Sequence, residues 1–183
     1  MDDVMMEFYS SVHACIGKEF GVYFDYNAVT HWDDHALKQT DLFGDGRTWW
    51  DWLKERDWLW ATFTAVEGAI GGVHQLRRAG HYVEAVTSKP SWAEWTVWAW
   101  LGKWRPEFNR VTIVSSGQKK SDFTDADVLV DDNVDNCLDF ITKGRRAVLF
   151  TRPWNGEFVP DSRNPRCDTW VQVVNHLNYK GGA

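Results

Sequence analysis

The amino-acid sequence predicts an α/β fold in which a parallel sheet has helices on both faces. Four short apolar runs have the length and composition of buried strands, at Val83 to Val86, Val111 to Val114, Val128 to Val130 and Ala147 to Phe150. Apolar residues recur at helical spacing between these runs. Alternation of strand and helix along a chain is typical of a parallel sheet covered on both sides.

Three of the predicted helices lie near these strands. The first contains Ala69 to Leu76, and Gly80 just beyond it is a C-terminal stop signal. Val134 to Ile141 repeats the apolar spacing, and Trp92, Trp95 and Trp98 indicate a third helix. Each helix is therefore expected to cover the sheet with one apolar face.

The N-terminal third has a different character. An amphipathic start from Met5 to Ile16 is followed by residues 20–66, which are aromatic, charged and without a convincing strand of the sheet. We therefore predict a core formed by residues 1–19 and 67–183, with residues 20–66 as a small, mostly helical insertion.

Composition excludes several classes of protein. The 183 residues carry a formal net charge of −6, which argues against binding polymeric nucleic acid by phosphate neutralisation. No run approaches the roughly 20 apolar residues of a membrane span. The acidic start lacks the basic region of a signal peptide, and the three cysteines show neither disulfide nor CxxC spacing. These features predict a cytoplasmic protein with reduced thiols.

Two adjacent carboxylates end one predicted strand. Asp131 and Asp132 follow Val128 to Val130, and ligands of open parallel sheets bind at the carboxyl ends of strands. Two neighbouring acids repel each other unless a cation lies between them, and carboxylate oxygens suit Mg²⁺. The alternative is an Asp-Asp turn that caps the next helix, since Asp is a good N-cap residue.

Hydroxyl groups and lysines form two weaker signals. Thr87 and Ser88 end the first strand, where a hydroxyl and free backbone N–H groups can bind an anion. Lys119 and Lys120 lie before the acidic pair, and a lysine is a point charge suited to phosphate. Taken separately, both features are also common in ordinary turns and on solvated surfaces.

The order of these signals resembles the four motifs of the haloacid dehalogenase (HAD) superfamily, and more closely the 5'(3')-deoxyribonucleotidase family. An acidic start is followed by a hydroxyl residue after a strand, a lysine, and a strand that ends in two acids. The segments that carry the closer resemblance are Gly68-Ala69, Thr87-Ser88-Lys89-Pro90, Ala126 to Asp132 and Pro153-Trp154-Asn155, with Trp170 in the position of the C-terminal helix.

The resemblance implies a three-layer Rossmann-like HAD core with a small cap, and a Mg²⁺-dependent phosphomonoesterase that acts through an aspartyl-phosphate. It implies that Thr87 holds a phosphoryl oxygen and that Lys120, or alternatively Lys119, offsets its charge. Asp2 would be the general acid–base and a metal ligand together with Asp131 and Asp132. One of these last two would bind directly and the other through water.

The cap residues and the rest of motif two are implied to bind the substrate. Aromatic faces stack on bases, so Trp49 and Trp50 are candidates, although packing within the small core of the cap is the preferred explanation for most of its aromatic rings. Ser88, Lys89 and Lys119 complete the implied substrate contacts. The expected partner is a small nucleotide, not a membrane or polymeric nucleic acid, and a homodimer is left open.

Motif one departs from the family pattern. When Val4 is aligned with the motif valine, Asp2 is the second acid and the attacking aspartate falls directly before Met1. The first core strand then also lies outside the chain. We therefore expect an enzyme acting on deoxyribonucleoside monophosphates whose nucleophile is not among these residues. The alternatives are a non-catalytic or truncated HAD-like nucleotide-binding protein, or a HAD phosphatase for another small phosphomonoester.

Overall fold

The computed structural model describes residues 1–31, 37, 41–44 and 46–178. Within this part of the chain, helices and parallel strands alternate as predicted, and the α/β class is confirmed. In chain order, the elements are α1 (Phe8–Phe20), α2 (Trp49–Lys54), α3 (Trp58–Thr62), α4 (Ala69–Arg78), β1 (Glu84–Ser88), α5 (Glu94–Trp104), β2 (Arg110–Val114), β3 (Val128–Asp131), α6 (Val134–Thr142), β4 (Arg146–Phe150), β5 (Arg166–Cys167) and α7 (Trp170–Asn178).

The strands form two separate parallel sheets. One joins β1 to β2, with Thr87 opposite Ile113. The other has the order β3, β4, β5, with Asp131 opposite Leu149 and Phe150 opposite Cys167. Among the described residues, no strand pairs with the second edge of β1 or of β3.

β4 shows that helices cover both faces of the second sheet. Ala147 and Leu149 pack into one apolar cluster with Phe140 of α6. Val148 and Phe150, whose side chains point the opposite way, belong to the larger cluster. Because successive side chains of a strand alternate between faces, a strand buried on both sides must be apolar throughout, as this one is after Arg146.

Helices α4 and α7 form part of the layer on the face of Val148 and Phe150. Their close approach depends on Gly72, since a Cβ atom added there would lie 2.5 Å from Cε3 of Trp170. The indole nitrogen of Trp170 donates to the carbonyl oxygen of Val4 at 2.8 Å. Trp170 therefore ties the C-terminal helix both to α4 and to the first residues of the chain.

The first six residues form a compact turn instead of a strand of the sheet. Asp2 bridges to Met6, and Met6 bridges to Ala65. Asp3 has a positive φ of 51°. Its carboxylate accepts hydrogen bonds from the first two amides of α1, those of Phe8 at 3.1 Å and Tyr9 at 3.3 Å. The turn thereby orients the amphipathic helix that the sequence predicted.

The predicted cap contains the short helices α2 and α3, and its helical character agrees with the sequence in the described part. Residues 32–36, 38–40 and 45 of this segment lie outside the described residues, and the boundaries at 20 and 66 stay predictions. Cys15, Cys137 and Cys167 are free thiols. Among the helices described, none has both the length and the apolar composition needed to cross a bilayer.

Candidate active site

Thr87 occupies the carboxyl end of β1. The strand alternates half-buried and buried residues, and Thr87 is only 1% exposed. Its hydroxyl group forms no hydrogen bond with the described residues. A buried hydroxyl at a strand end can therefore donate to a phosphoryl oxygen, as the motif resemblance implied.

Lys120 and Asp131 form the most buried ion pair at the strand ends of the two sheets. Lys120 lies in a short 3₁₀ turn after β2, and its Nζ is 2.6 Å from Oδ2 of Asp131. The other carboxylate oxygen accepts from the amide of Asn133 and from Nδ2 of Asn136, both at 3.0 Å. Burial alone would raise the pKa of Asp131, but the charge of Lys120, together with the amino group of Met1 and the hydrogen bond from Asn136, holds that pKa below its ordinary value.

Asp132 has the opposite electrostatic character. Burial, followed by the neighbouring charge of Asp131, raises the pKa of Asp132 to about 7. Its Oδ2 accepts a hydrogen bond from Nε1 of Trp154 at 3.0 Å, and its backbone oxygen accepts from Nδ2 of Asn155 at 2.8 Å. Asp131 is thus stabilised as an anion, whereas the ionised form of Asp132 is destabilised by burial and by Asp131. An added cation would stabilise the ionised form of Asp132.

Asn133, and not the acidic pair, caps the helix after β3. Its side chain accepts hydrogen bonds from the amides of Asp135 at 2.8 Å and Asn136 at 3.3 Å, the first free amides of α6. The alternative interpretation of Asp131 and Asp132 as cap residues is therefore wrong. The carboxylate of Asp131 faces Lys120 instead, and that of Asp132 faces Trp154.

Asp2 forms a second buried ion pair, with Lys89. The two side chains are hydrogen bonded, and Lys89 is almost completely buried, with its ammonium 3.9 Å from the ring centroid of Trp60. Burial would raise the pKa of Asp2, but Lys89, together with the amino group of Met1 and the charge of Lys120, holds that pKa below its ordinary value. Oδ1 of Asp2 is buried without a hydrogen-bond partner, so one oxygen of this carboxylate is left for a ligand.

The two ion pairs belong to one electrostatic group. The charges of Lys120 and Asp131, besides those of Asp2 and Lys89, act on the buried amino group of Met1, which therefore lies among them. Thr87 is two residues from Lys89 at the same strand end. The structure thus brings together Asp2, Lys89, Lys120 and Asp131, while Thr87 lies in the strand that leads to Lys89.

Two predicted site residues lie away from this group. Lys119 is exposed, and its ammonium donates to Asp139 of α6 at 2.9 Å. The hydroxyl of Ser88 donates to the backbone oxygen of Ser115 at 3.3 Å, on the side of β2. The geometry therefore favours Lys120 over Lys119 as the motif-three lysine, and the substrate contacts of Ser88 and Lys119 stay predictions.

Aromatic rings border the site on the cap side. Trp49 and Trp50 stack with ring centroids 4.0 Å apart, and Trp49 is fully buried whereas Trp50 is half-buried. Phe8 packs against Trp60 with centroids 4.9 Å apart, and Trp60 lies under Lys89. Most of these rings belong to the same large apolar cluster as Val148 and Phe150 of β4, but Trp50 retains an accessible part.

Carboxylates are present for a metal ion, but they are not gathered around one point. Within the described parts of the chain, no three acidic, histidine or cysteine side chains are placed to hold a metal together. Asp2 and Asp131 instead each have a lysine partner. The unpaired oxygen of Asp2 and the raised pKa of Asp132 nevertheless fit a hard divalent cation, which binds carboxylate oxygens and stabilises their ionised form.

Several site contacts were missed by sequence reasoning. Arg152 lies beside the turn of the first residues, where its Nε donates to the backbone oxygen of Asp3 at 2.5 Å. Asn155 is buried and bonds to both β4 and Asp132. The Pro-Trp-Asn resemblance marked this segment without giving roles. A cap residue after Asp-Asp was recognisable in principle, because Asn133 precedes an apolar helical pattern.

The fold and the grouping of strand-end acids and lysines define an α/β protein with a Rossmann-like HAD core. A family model described as "5' nucleotidase, deoxy (Pyrimidine), cytosolic type C protein" matches residues 1–179. The chain therefore belongs to this family of nucleotidases, and the resemblance of its motifs is confirmed. A comparison with curated proteins gave no match.

Proposed function

We propose that this site hydrolyses deoxyribonucleoside monophosphates with the help of Mg²⁺, through an aspartyl-phosphate. The observation that carries the proposal is the buried pair of Lys120 and Asp131 beside Asp132, whose pKa is raised to about 7. An uncompensated acid next to a buried lysine is costly for a purely structural core. The same arrangement is useful where a cation and a phosphate dianion are bound together.

Asp131 and Asp132 would hold the metal, with the unpaired oxygen of Asp2 as a further ligand. The bound cation would offset negative charge on the phosphoryl oxygens. Each carboxylate must exchange part of its present contacts for the metal. The lysine partners Lys89 and Lys120 are then released to face the phosphate.

The side chains of the chain supply the other steps. The hydroxyl of Thr87 donates a hydrogen bond to one phosphoryl oxygen, and Lys120 balances the charge of another. In a chain to which an aspartate is added directly before Met1, that aspartate would attack phosphorus, and the P–O bond to the sugar would break. Asp2 would give a proton to the leaving oxygen and then take one from the water that cleaves the aspartyl-phosphate.

The proposed preference for nucleotides is supported by aromatic rings that contact the charged residues of the site. Trp60 lies under Lys89, and Trp154 donates to Asp132, so aromatic rings reach the phosphate side of the site. Trp50 presents an accessible aromatic surface nearby, packed on Phe8 with centroids 6.2 Å apart. A base stacked there would be held while its phosphate reaches Thr87. We also propose that the protein works in the cytoplasm, as the family description suggests.

A non-catalytic nucleotide-binding protein is the second candidate. It is favoured by the lysine partners that already occupy Asp2 and Asp131, since a stable ion pair needs no metal. Phosphate release in the presence of Mg²⁺ separates the two candidates. The suitable protein is an extended chain, defined here as the 183 residues preceded by a five-residue apolar strand, the length of β1, that is followed by an aspartate directly before Met1.

A further inference from the structure

Asp139 of α6 binds the residues on both sides of Lys120. Its Oδ1 accepts a hydrogen bond from the ammonium group of Lys119 at 2.9 Å, and its Oδ2 accepts one from the hydroxyl group of Ser121. Lys120 binds a different acid, because its own ammonium group is 2.6 Å from Oδ2 of Asp131. The bond from Lys119 is exposed and adds little, so Ser121 is the neighbour through which Asp139 holds this turn.

Two cations beyond the end of α6 hold the same turn. Nζ of Lys143 donates to the hydroxyl oxygen of Ser121 at 2.5 Å and also pairs with Asp122. The guanidinium group of Arg145 donates to two backbone oxygens, those of Ser121 at 2.8 Å and Thr124 at 2.6 Å. Ser121 is only 3% exposed, so these bonds are largely shielded from water. Hydrogen bonds from charged donors are stronger than those between neutral groups, so the turn is firmly held.

One face of α6 binds both partners of the buried ion pair. Nδ2 of Asn136 donates to Oδ1 of Asp131 at 3.0 Å. Asn136 and Asp139 are three residues apart in this helix, and residues at that spacing are neighbours on one face. The helix therefore holds Asp131 directly and holds Lys120 through the next residue of the chain. Groups held by a helix keep their relative positions better than groups held only by loops.

We propose that Asp139, Lys143 and Arg145 are positioning residues, which hold the turn at Ser121 so that the ammonium group of Lys120 stays at the strand-end site. These three residues are named the turn clamp. A lysine has a flexible four-carbon stem, so its charge is held in place only when its backbone is fixed as well. A cation that is already in place when a phosphate arrives needs no reorganisation. The role toward phosphate rests on the proposed function, whereas the effect of the clamp on Lys120 does not.

The first test measures proton exchange of the Lys120 ammonium group in the 183-residue chain, by NMR of lysine labelled at its side-chain nitrogen. The signal is assigned by its absence from Lys120→Arg. Asp139→Asn should speed up this exchange by about tenfold, because asparagine lacks the second acceptor oxygen and the turn opens more often. Asp135→Asn changes an exposed acid in the first turn of the same helix and is the matched control, which should exchange like the parent.

The second test measures the binding of inorganic phosphate to the same chains in Mg²⁺, by isothermal titration calorimetry. Removing a negative charge would by itself strengthen the binding of an anion. The turn clamp predicts the opposite for Asp139→Asn, a loss of affinity of about fivefold or more, because Lys120 is no longer held in place. Asp135→Asn removes the same charge from the same helix without changing the clamp, so it should not weaken phosphate binding.

Arg145→Lys guards against poor folding of Asp139→Asn, since a lysine keeps the charge but cannot donate to both backbone oxygens in the same way. Faster ammonium exchange and weaker phosphate binding are expected for this variant as well. Unchanged exchange in the folded variants would overturn the proposal, and so would faster exchange with unchanged phosphate affinity. If the parent chain binds no phosphate, the proposed function fails, and the exchange rates alone decide whether the turn clamp holds Lys120.

Discussion

The ammonium group of Lys120 lies 2.6 Å from a carboxylate oxygen of Asp131, and both side chains are buried. The adjacent Lys119 is exposed, and its ammonium group pairs with Asp139 of α6. Two neighbouring lysines with the same chemistry therefore have different surroundings. Their difference offers a direct way to separate a site lysine from a surface lysine.

Replacing Lys120 by methionine should strongly destabilise the protein. The change leaves the carboxylate of Asp131 buried without its counter-ion, which costs about 3–5 kcal/mol in comparable buried pairs. Urea unfolding of Lys120→Met measures the loss. Lys119→Met is the matched control, and its stability should equal that of the parent chain because exposed ion pairs contribute little.

Combining Lys120→Met with Asp131→Asn tests the cause of that loss. The double variant has no unpaired charge, so it should be more stable than Lys120→Met alone. If the double variant is less stable than Lys120→Met by the full cost of Asp131→Asn, the two residues do not interact and the ion pair is not what Lys120 contributes.

Magnesium binding should depend on both acids after β3. In the extended chain, Asp131→Asn and Asp132→Asn should each weaken Mg²⁺ binding, because each removes a charge from the proposed metal site. Isothermal titration calorimetry gives the affinities. Asp135→Asn, an exposed acid in the first turn of α6, is the control and should bind Mg²⁺ like the parent. Unchanged affinity in both site variants would remove the metal assignment.

Two adjacent glycines in α4 should respond oppositely to alanine. A Cβ atom at Gly72 meets Trp170 at 2.5 Å, whereas nothing lies within 4 Å of one at Gly71. Overpacking costs typically 1–3 kcal/mol, so Gly72→Ala should lower the free energy of unfolding by about that amount. Gly71→Ala should raise it by roughly 0.5–1 kcal/mol, since alanine favours a helix. Denaturant unfolding gives the free energy of unfolding of both variants. A Gly72→Ala variant as stable as the parent would mean that α4 lies further from α7 than described.

Substrate preference should follow the aromatic cap. The extended chain is expected to hydrolyse deoxyribonucleoside monophosphates about tenfold or more faster, in kcat/KM, than glycerol phosphate, because base stacking contributes roughly 1–3 kcal/mol. Trp50→Ala should reduce this ratio and leave glycerol phosphate turnover unchanged. Equal turnover of both substrates by the parent would contradict the nucleotidase assignment and leave a general phosphatase.

Local patterns in the sequence predicted most of the sheet. The apolar runs that became β1 to β4 are visible because strands covered on both faces are apolar throughout. β5 escaped prediction because it consists only of Arg166 and Cys167, whose pairing depends on β4 and not on any local signal. Its position is determined by its pairing with β4, which is a tertiary contact.

Long-range contacts of the site could not be predicted from residue patterns. The pair of Lys89 and Asp2 joins residues 87 positions apart, and nothing near either residue indicates the other. The choice between Lys119 and Lys120 likewise depends on the direction of one 3₁₀ turn. By contrast, the positions of Thr87 and Asp131 at strand ends were predictable, because each follows a short apolar run.

The most direct test of the account is phosphate release from a deoxyribonucleoside monophosphate by the extended chain in Mg²⁺. The comparison protein is the same extended chain with asparagine in place of the aspartate before Met1. We predict turnover by the aspartate form and a loss on the order of 10⁶ in kcat in the asparagine form, because an attacking carboxylate is removed. The 183-residue chain should behave like the asparagine form. Equal turnover by all three proteins, or no turnover by the aspartate form when folded, would contradict the assignment of Asp2, Thr87, Lys120 and Asp131 to a phosphatase site.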